Sequence, residues 1–255
     1  MDTHAEPEQT RHFIIASGPS IRQLFRDVVA ERLPGRRPPQ AGMLFDAEID
    51  PCWDEPTFLG DFYNEILHQD TCQTTTADGL VLLAVLAVDD RIPARHRFKA
   101  VELLFNAATV AERHLADTWP ATPPHADPLN EARVRSAVRA HTPALLNRWS
   151  AECPAVRLAL AGLAVVFPTD RTLSALTPRL RTFIHQHPPG TEIGDYVRFV
   201  LVLASQDADR ILTVTEGLTD AYWTGTARGA PTRARALHLL GQMLTKVPRI
   251  RGVPT

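Results

Sequence analysis

Lysine is almost missing from this chain: of 27 basic residues, 25 are Arg and 2 are Lys. With abundant Ala and Pro, that bias reads as the mark of a GC-rich coding sequence more than of a function. Cysteine is also scarce. Cys52, Cys72 and Cys153 lie far apart, the count is odd and no C-x-x-C occurs, which excludes a disulfide framework or a thiolate zinc site. No apolar run reaches the roughly 18 residues of a membrane span. The opening M-D-T-H-A-E-P-E-Q-T-R lacks the basic-then-apolar order of a secretory leader, so cytoplasm is the expected location. Glycine-rich phosphate loops, G-x-S-x-G and H-E-x-x-H are absent, and no cofactor is implied. No stretch alternates as a strand does.

Charge of one sign is missing locally. The net charge is −2, which gives no general reason to bind nucleic acid. Residues 38–90 nevertheless hold eleven acids and no Lys or Arg, whereas residues 221–255 hold five Arg, one Lys and no acid. Two readings stay open: solvated faces at the two ends of an elongated molecule, or a cation-seeking patch near the N-terminus.

What the chain has in quantity is helix. Cys153 to Phe167, C-P-A-V-R-L-A-L-A-G-L-A-V-V-F, is apolar nearly all round with Arg157 its one charge, so it has to lie between other helices. Apolar spacing predicts further helices over 20–33, 54–68, 77–88, 94–119, 129–151, 171–187, 191–205, 207–223 and 230–247. Pro143 should kink or break the fifth of these. Residues 1–19 read as a tail, 36–53 as a loop, and 120–128, P-A-T-P-P-H-A-D-P, as a non-helical connection inside one domain spanning 20–255.

Helix starts recur about 40 residues apart, near 54, 94, 154, 191 and 230, the Pro-rich connection excepted. Arg157, Arg198 and Arg233 hold one position within P-A-V-R-L-A-L-A-G-L, D-Y-V-R-F-V-L-V-L-A and A-P-T-R-A-R-A-L-H-L. This pattern, with Thr142-Pro143-Ala144-Leu145 and Thr177-Pro178-Arg179-Leu180 opening second helices, resembles HEAT repeats. F-Y-N-E-I-L-H-Q-D-T (62–71) is similar to the L-Y-x-x-I-x-H-Q-G-T signature of bacterial, largely actinobacterial, HEAT-like proteins. Asp70 stands where that signature has Gly. The resemblance covers about residues 44–247. It implies an all-α, right-handed α-solenoid of four to five helix pairs with an N-terminal capping helix, each pair buried only against its neighbours. It also implies a concave wall that binds a protein, a nucleic acid or a small molecule.

Glu65-x-x-His68 has the spacing of one half of a carboxylate-bridged di-iron site, but the second E-x-x-H is missing, so no metal is expected and His68-Gln69 are read as closing a turn. The acidic run with its aromatics, Trp53, Asp54, Asp61, Tyr63, Glu65 and His68, forms one candidate protein-binding surface. Arg179 and Arg181 on a polar second helix, with Tyr222 and Trp223, are the remaining candidate binding residues. The expected function is a non-catalytic protein-binding scaffold, such as an immunity-type protein masking a cationic partner. The alternative is an enzyme working in the concave wall, either a DNA glycosylase-like hydrolase or a natural-product biosynthetic enzyme. Arg133, Arg135, Arg139, Arg179 and Arg181, with Trp119, Trp149, Tyr222 and Trp223, are the residues a nucleic-acid reading would use, and interleaved acids weigh against it.

Overall fold

Two sequences without a polar face, T-A-D-G-L-V-L-L-A-V-L-A and P-A-V-R-L-A-L-A-G-L-A-V-V, fix the architecture, because a helix made from either must be covered on every side. The computed structural model describes residues 21–35, 58–222 and 229–247, without the side chains of Phe58, Asp61 and residues 219–222. The expected N-terminal tail and the loop 36–53 fall outside the described residues. Among these, eleven α-helices and no strand are present. They are α1 (Ile21–Arg32), α2 (Phe58–Ile66), α3 (Thr76–Ala87), α4 (Ala94–Ala108), α5 (Val110–Thr118), α6 (Pro128–Asn147), α7 (Pro154–Val166), α8 (Asp170–Gln186), α9 (Glu192–Ser205), α10 (Ala208–Tyr222) and α11 (Thr232–Leu244).

Helix α3 is covered by α1, α2, α4 and α6, and α7 by α4, α6, α8, α9 and α11. Every residue of α7 from Leu158 to Val166 is buried. Burying each Leu or Val contributes roughly 1.5–3 kcal/mol, against tenths of a kcal/mol for the weaker helix propensity of Val. Packing therefore holds Val156, Val165 and Val166 helical. One contiguous core runs from Ile21 to Val247. Most helices pack on others no more than three places away in the sequence, but α11 also lies against α5 and α4, so the chain returns on its own middle.

Side-chain competition with the backbone explains one departure from the predicted elements. The long helix expected over 94–119 is interrupted at Thr109 (φ −117°, ψ 17°), whose hydroxyl donates to the Phe105 carbonyl at 2.9 Å. Pro143, by contrast, does not end α6. Val138 and Leu145 are buried on either side of it, and the Thr142 hydroxyl donates to the Val138 carbonyl at 3.0 Å. At its other end α6 begins as sequence rules suggest: Asp127 accepts from the backbone N–H groups of Leu129 and Asn130 at 3.1 and 3.0 Å, with Pro128 in the first turn.

The signature segment closes α2 through a 3-10 turn at His68–Asp70, in which Gln69 and Asp70 have φ of 49° and 59°. Asp70 thus adopts the left-handed conformation that Gly would supply at no steric cost. The strain, roughly 1–2 kcal/mol, is offset by Arg113, whose Nη2 and Nε donate to the two Asp70 oxygens at 2.5 and 3.1 Å. Burial pushes the Asp70 pKa up, but hydrogen bonding and charge from Arg113 outweigh it and hold the carboxyl below its ordinary value. The Ile66 carbonyl at the end of α2 is taken by the buried Thr76 hydroxyl at 2.7 Å, not by the His68 or Gln69 side chain.

Guanidinium groups tie successive helices together. Arg157 donates to the Trp149 and Ser150 carbonyls at 2.9 and 3.1 Å, just beyond the end of α6, and Arg198 donates to the His187 carbonyl at 3.0 Å, just beyond α8. At the other edge Asp89, only 3% exposed, accepts from Arg91 at 2.9 Å and from Arg32 of α1 at 3.2 Å. Hydrogen bonds from Arg91 and then Arg32 outweigh desolvation and hold the Asp89 pKa far below the carboxylate range. Its contribution to stability is complete above the unfolded value of about 3.9 and is lost as pH falls from there through the folded value. Asp89→Asn should therefore lower the melting temperature at neutral pH and flatten its fall below about pH 4, as read by thermal denaturation across a pH series.

Inside the core, the Tyr196 hydroxyl donates to the Leu158 carbonyl at 2.9 Å, and a Cβ added at Gly162 would lie 2.7 Å from that oxygen. Gly162→Ala should cost about 1–3 kcal/mol by this overlap, and Tyr196→Phe about 1 kcal/mol by loss of the bond. The double variant should be more stable than the sum of these losses predicts, because Phe removes the clashing atom; urea denaturation of the three variants measures the coupling.

Candidate functional site: an arginine-lined groove

Arg135 and Arg139 are four residues apart on α6 and so share a face. Across from them α8 begins with Arg171 in its first turn and carries Arg179 two turns later. The α7–α8 link, Phe167-Pro168-Thr169, closes one end, and Arg233 from α11 reaches in beside it. Together these elements enclose a groove of about 630 Å³ with five Arg and no acid in its lining. Its floor is apolar, from Leu146, Val166, Phe167 and Ala175.

The five guanidinium groups are not equivalent. Arg135 is a structural cation: it donates to Glu112 and to the Ala108 carbonyl, both at 2.7 Å, reaches the Val166 carbonyl at 3.4 Å and stacks 5.4 Å over the Phe167 ring. Arg233 donates to the Val165 and Val166 carbonyls at 3.2 and 3.4 Å, the exposed acceptors at the end of α7. Burial and then the neighbouring charge of Arg135 lower the Arg233 pKa, only partly countered by Glu112. Two cations held this close leave a local excess of positive potential that a bound anion would relieve. Arg179 lies 5.2 Å over the Trp149 ring. Arg139 and Arg171 are exposed and reach no partner among the described residues.

The structure disperses the candidate residues read from the sequence. Trp53, Asp54 and Trp223 lie outside the described residues, as do the side chains of Asp61 and Tyr222. Glu65 and His68 are exposed, and Arg181 is exposed on α8. Tyr63, expected on an exposed acidic surface, is instead buried at 8% exposure, because it sits on the same side of α2 as Phe62 and Ile66 and lines a smaller cavity next to α11. Arg179 does line the groove. Trp149, a candidate stacking aromatic, is 6% exposed and covered by Arg179, so its face is occupied. Among the described residues no group of three or more His, Cys, Asp or Glu is placed to hold a metal ion. The Cys72 thiol is buried, and burial pushes its pKa up to about 12, which keeps it protonated and unreactive.

Arg171 and Arg233 are the groove residues that sequence reading did not assign to a site. Arg233 is visible in the sequence only as a repeated position, and no sequence signal brings α11 beside α7. No protein-family model, curated protein or solved structure matches this chain.

Structural and free arginines separate by mutation. Arg135→Ala leaves Glu112, whose side chain is 14% exposed, without its cation and uncovers two carbonyls, and should destabilise the protein by about 2–4 kcal/mol. Arg139→Ala and Arg171→Ala should stay within about 0.5 kcal/mol of the parent chain, as read by chemical denaturation.

Proposed function

We propose that this protein is a non-catalytic binding scaffold whose arginine groove receives an acidic, partly apolar segment of a protein partner. In this reading the helices form a right-handed HEAT-like solenoid of four to five pairs, and α6 and α8 are second helices lining its binding wall. The observation that carries the proposal is the groove itself, with five Arg, no acid and an apolar floor. Carboxylates satisfy the free forks of Arg139 and Arg171 in bidentate fashion, and one or two aliphatic side chains fill the floor against Leu146 and Phe167. The groove is small for a protein interface, so it suits an extended segment more than a folded surface.

Two alternatives are disfavoured by the same lining. General acid–base hydrolysis of the DNA glycosylase kind calls for a carboxylate or imidazole at the reacting atom, and the groove lining has neither. Nucleic-acid binding favours a continuous basic stripe with aromatics free to stack, whereas the Trp149 face is already covered. The immunity-type reading rested on the acidic run 38–90, much of which lies outside the described residues.

A labelled peptide of alternating Glu and Leu tests the proposal by fluorescence anisotropy, with a duplex DNA oligonucleotide as competitor. Binding should weaken as salt is raised. Exchange of Arg139, Arg171 and Arg179 for Glu together should reduce affinity at least about tenfold, or roughly 1.4 kcal/mol. Tighter binding of the DNA would return the nucleic-acid reading, and absence of peptide binding would sink the proposal.

A further inference from the structure

The donors of the arginine groove are unequally occupied, and the unoccupied ones come from three different helices. At the inner end, Nη2 of Arg135 and Nη2 of Arg233 each donate to the Val166 carbonyl at 3.4 Å, so two guanidinium groups meet on one oxygen. Glu112, outside the lining, pairs with Arg135 at 2.7 Å. Two cations against one carboxylate leave that corner net positive. The carbonyls of Val165 and Val166 take Nη2 of Arg233, while its Nε and Nη1 make no hydrogen bond among the described residues. Arg139 on α6 and Arg171 in the first turn of α8 are exposed and likewise without a partner among those residues. Unoccupied forks therefore enter from α6, α8 and α11, and no acid of the lining opposes them.

This arrangement distinguishes between two kinds of anion. A carboxylate presents two oxygens in one plane and is satisfied by a single fork. Its one negative charge offsets the excess beside Arg233 and leaves Arg139 and Arg171 uncompensated. A phosphate monoester carries about −1.5 to −2 near pH 7 and three strong acceptor oxygens. Those oxygens are arranged tetrahedrally, so the group accepts from several directions at once, as forks arriving from three helices require. Free phosphate would leave most of the 630 Å³ empty. The apolar floor beside the forks, formed by Leu146, Phe167 and Ala175, suits a chain attached to the phosphoryl group.

We propose that the segment received by the groove carries a phosphorylated side chain, its phosphoryl group held by Arg139, Arg171 and Arg233 and its apolar neighbours lying on Leu146 and Phe167. The assignment rests on the protein-segment reading of the groove and adds that capture of the partner depends on its phosphorylation.

An alternating Glu and Leu peptide with serine, phosphoserine or glutamate at its centre tests this, each version titrated with the full chain by fluorescence anisotropy. Phosphoserine should bind at least about tenfold more tightly than serine, and glutamate less than about threefold more tightly. Joint exchange of Arg139 and Arg171 for Ala should weaken all three peptides and cut the phosphoserine advantage below about threefold. Arg133→Ala, on α6 but outside the groove lining, should leave that advantage unchanged. Inorganic phosphate at matched concentration should not displace the phosphoserine peptide. If the serine peptide binds and phosphorylation adds nothing, the scaffold reading stands and this assignment falls; if neither peptide binds, both fall. Equal gains from glutamate and phosphoserine, an advantage that survives loss of Arg139 and Arg171, or an equal drop in Arg133→Ala would each overturn it. So would displacement by inorganic phosphate, which marks a free-anion site, or tighter binding of duplex DNA, which marks a nucleic-acid groove.

Discussion

Helix α7 has no face that can meet water, and much of the molecule follows from covering it. Its neighbours α4, α6, α8, α9 and α11 surround it, and they come from both sides of it in the sequence. Side chains cover its flanks, but the carbonyls at its end remain a separate problem, because hydrophobic neighbours cannot satisfy them. Arg135 and Arg233 meet that need from two different helices. The same two cations then form the inner end of the groove. Covering one apolar helix thus generates both the core and the positive cavity beside it.

Arginine recurs at several places where a helix end is joined to another element. Arg157 and Arg198 bind carbonyls beyond α6 and α8. Arg97 donates to the Ile92 carbonyl while pairing with the buried Glu152 at 2.8 Å. Arg113 serves a carbonyl, a hydroxyl and a carboxylate at once. A planar fork of five donors can divide its bonds among several acceptors while its stem packs against apolar surface. An ammonium has three donors at a single point and is more strongly hydrated. The scarcity of Lys, which in the sequence reads as a coding bias, has a structural use at these junctions.

Helix positions were legible because periodicity and capping are local. Thr191, whose hydroxyl accepts from the Gly194 N–H at 3.1 Å, and the capping box of Thr169 and Thr172 mark starts close to those expected. The break at Thr109 was not legible, because the effect of a Thr on a helix depends on what packs beside it. Asp70 was a visible departure from the signature, but its compensation lies in Arg113, 43 residues away. Arg135, Arg139 and Arg179 were recognised as basic residues of polar helices. Their convergence with Arg171 and Arg233 was not legible, since it follows from the path of α7 and the return of α11. Tyr63 read as a surface aromatic because its neighbours in sequence are acidic, whereas its burial is set by α2 packing on α3 and α4.

The return of α11 also bears on the order in which the molecule is made. A ribosome releases residues 94–118 long before 232–244, so the faces of α4 and α5 that receive α11 have no cover for much of synthesis. An open stack of repeats settles each unit as it emerges, but here an early pair waits for a late helix. During that interval the nascent chain presents an apolar strip bordered by Arg113, a surface suited to a chaperone. The packing of α4 and α5 is thus completed by a segment near the end of the described residues.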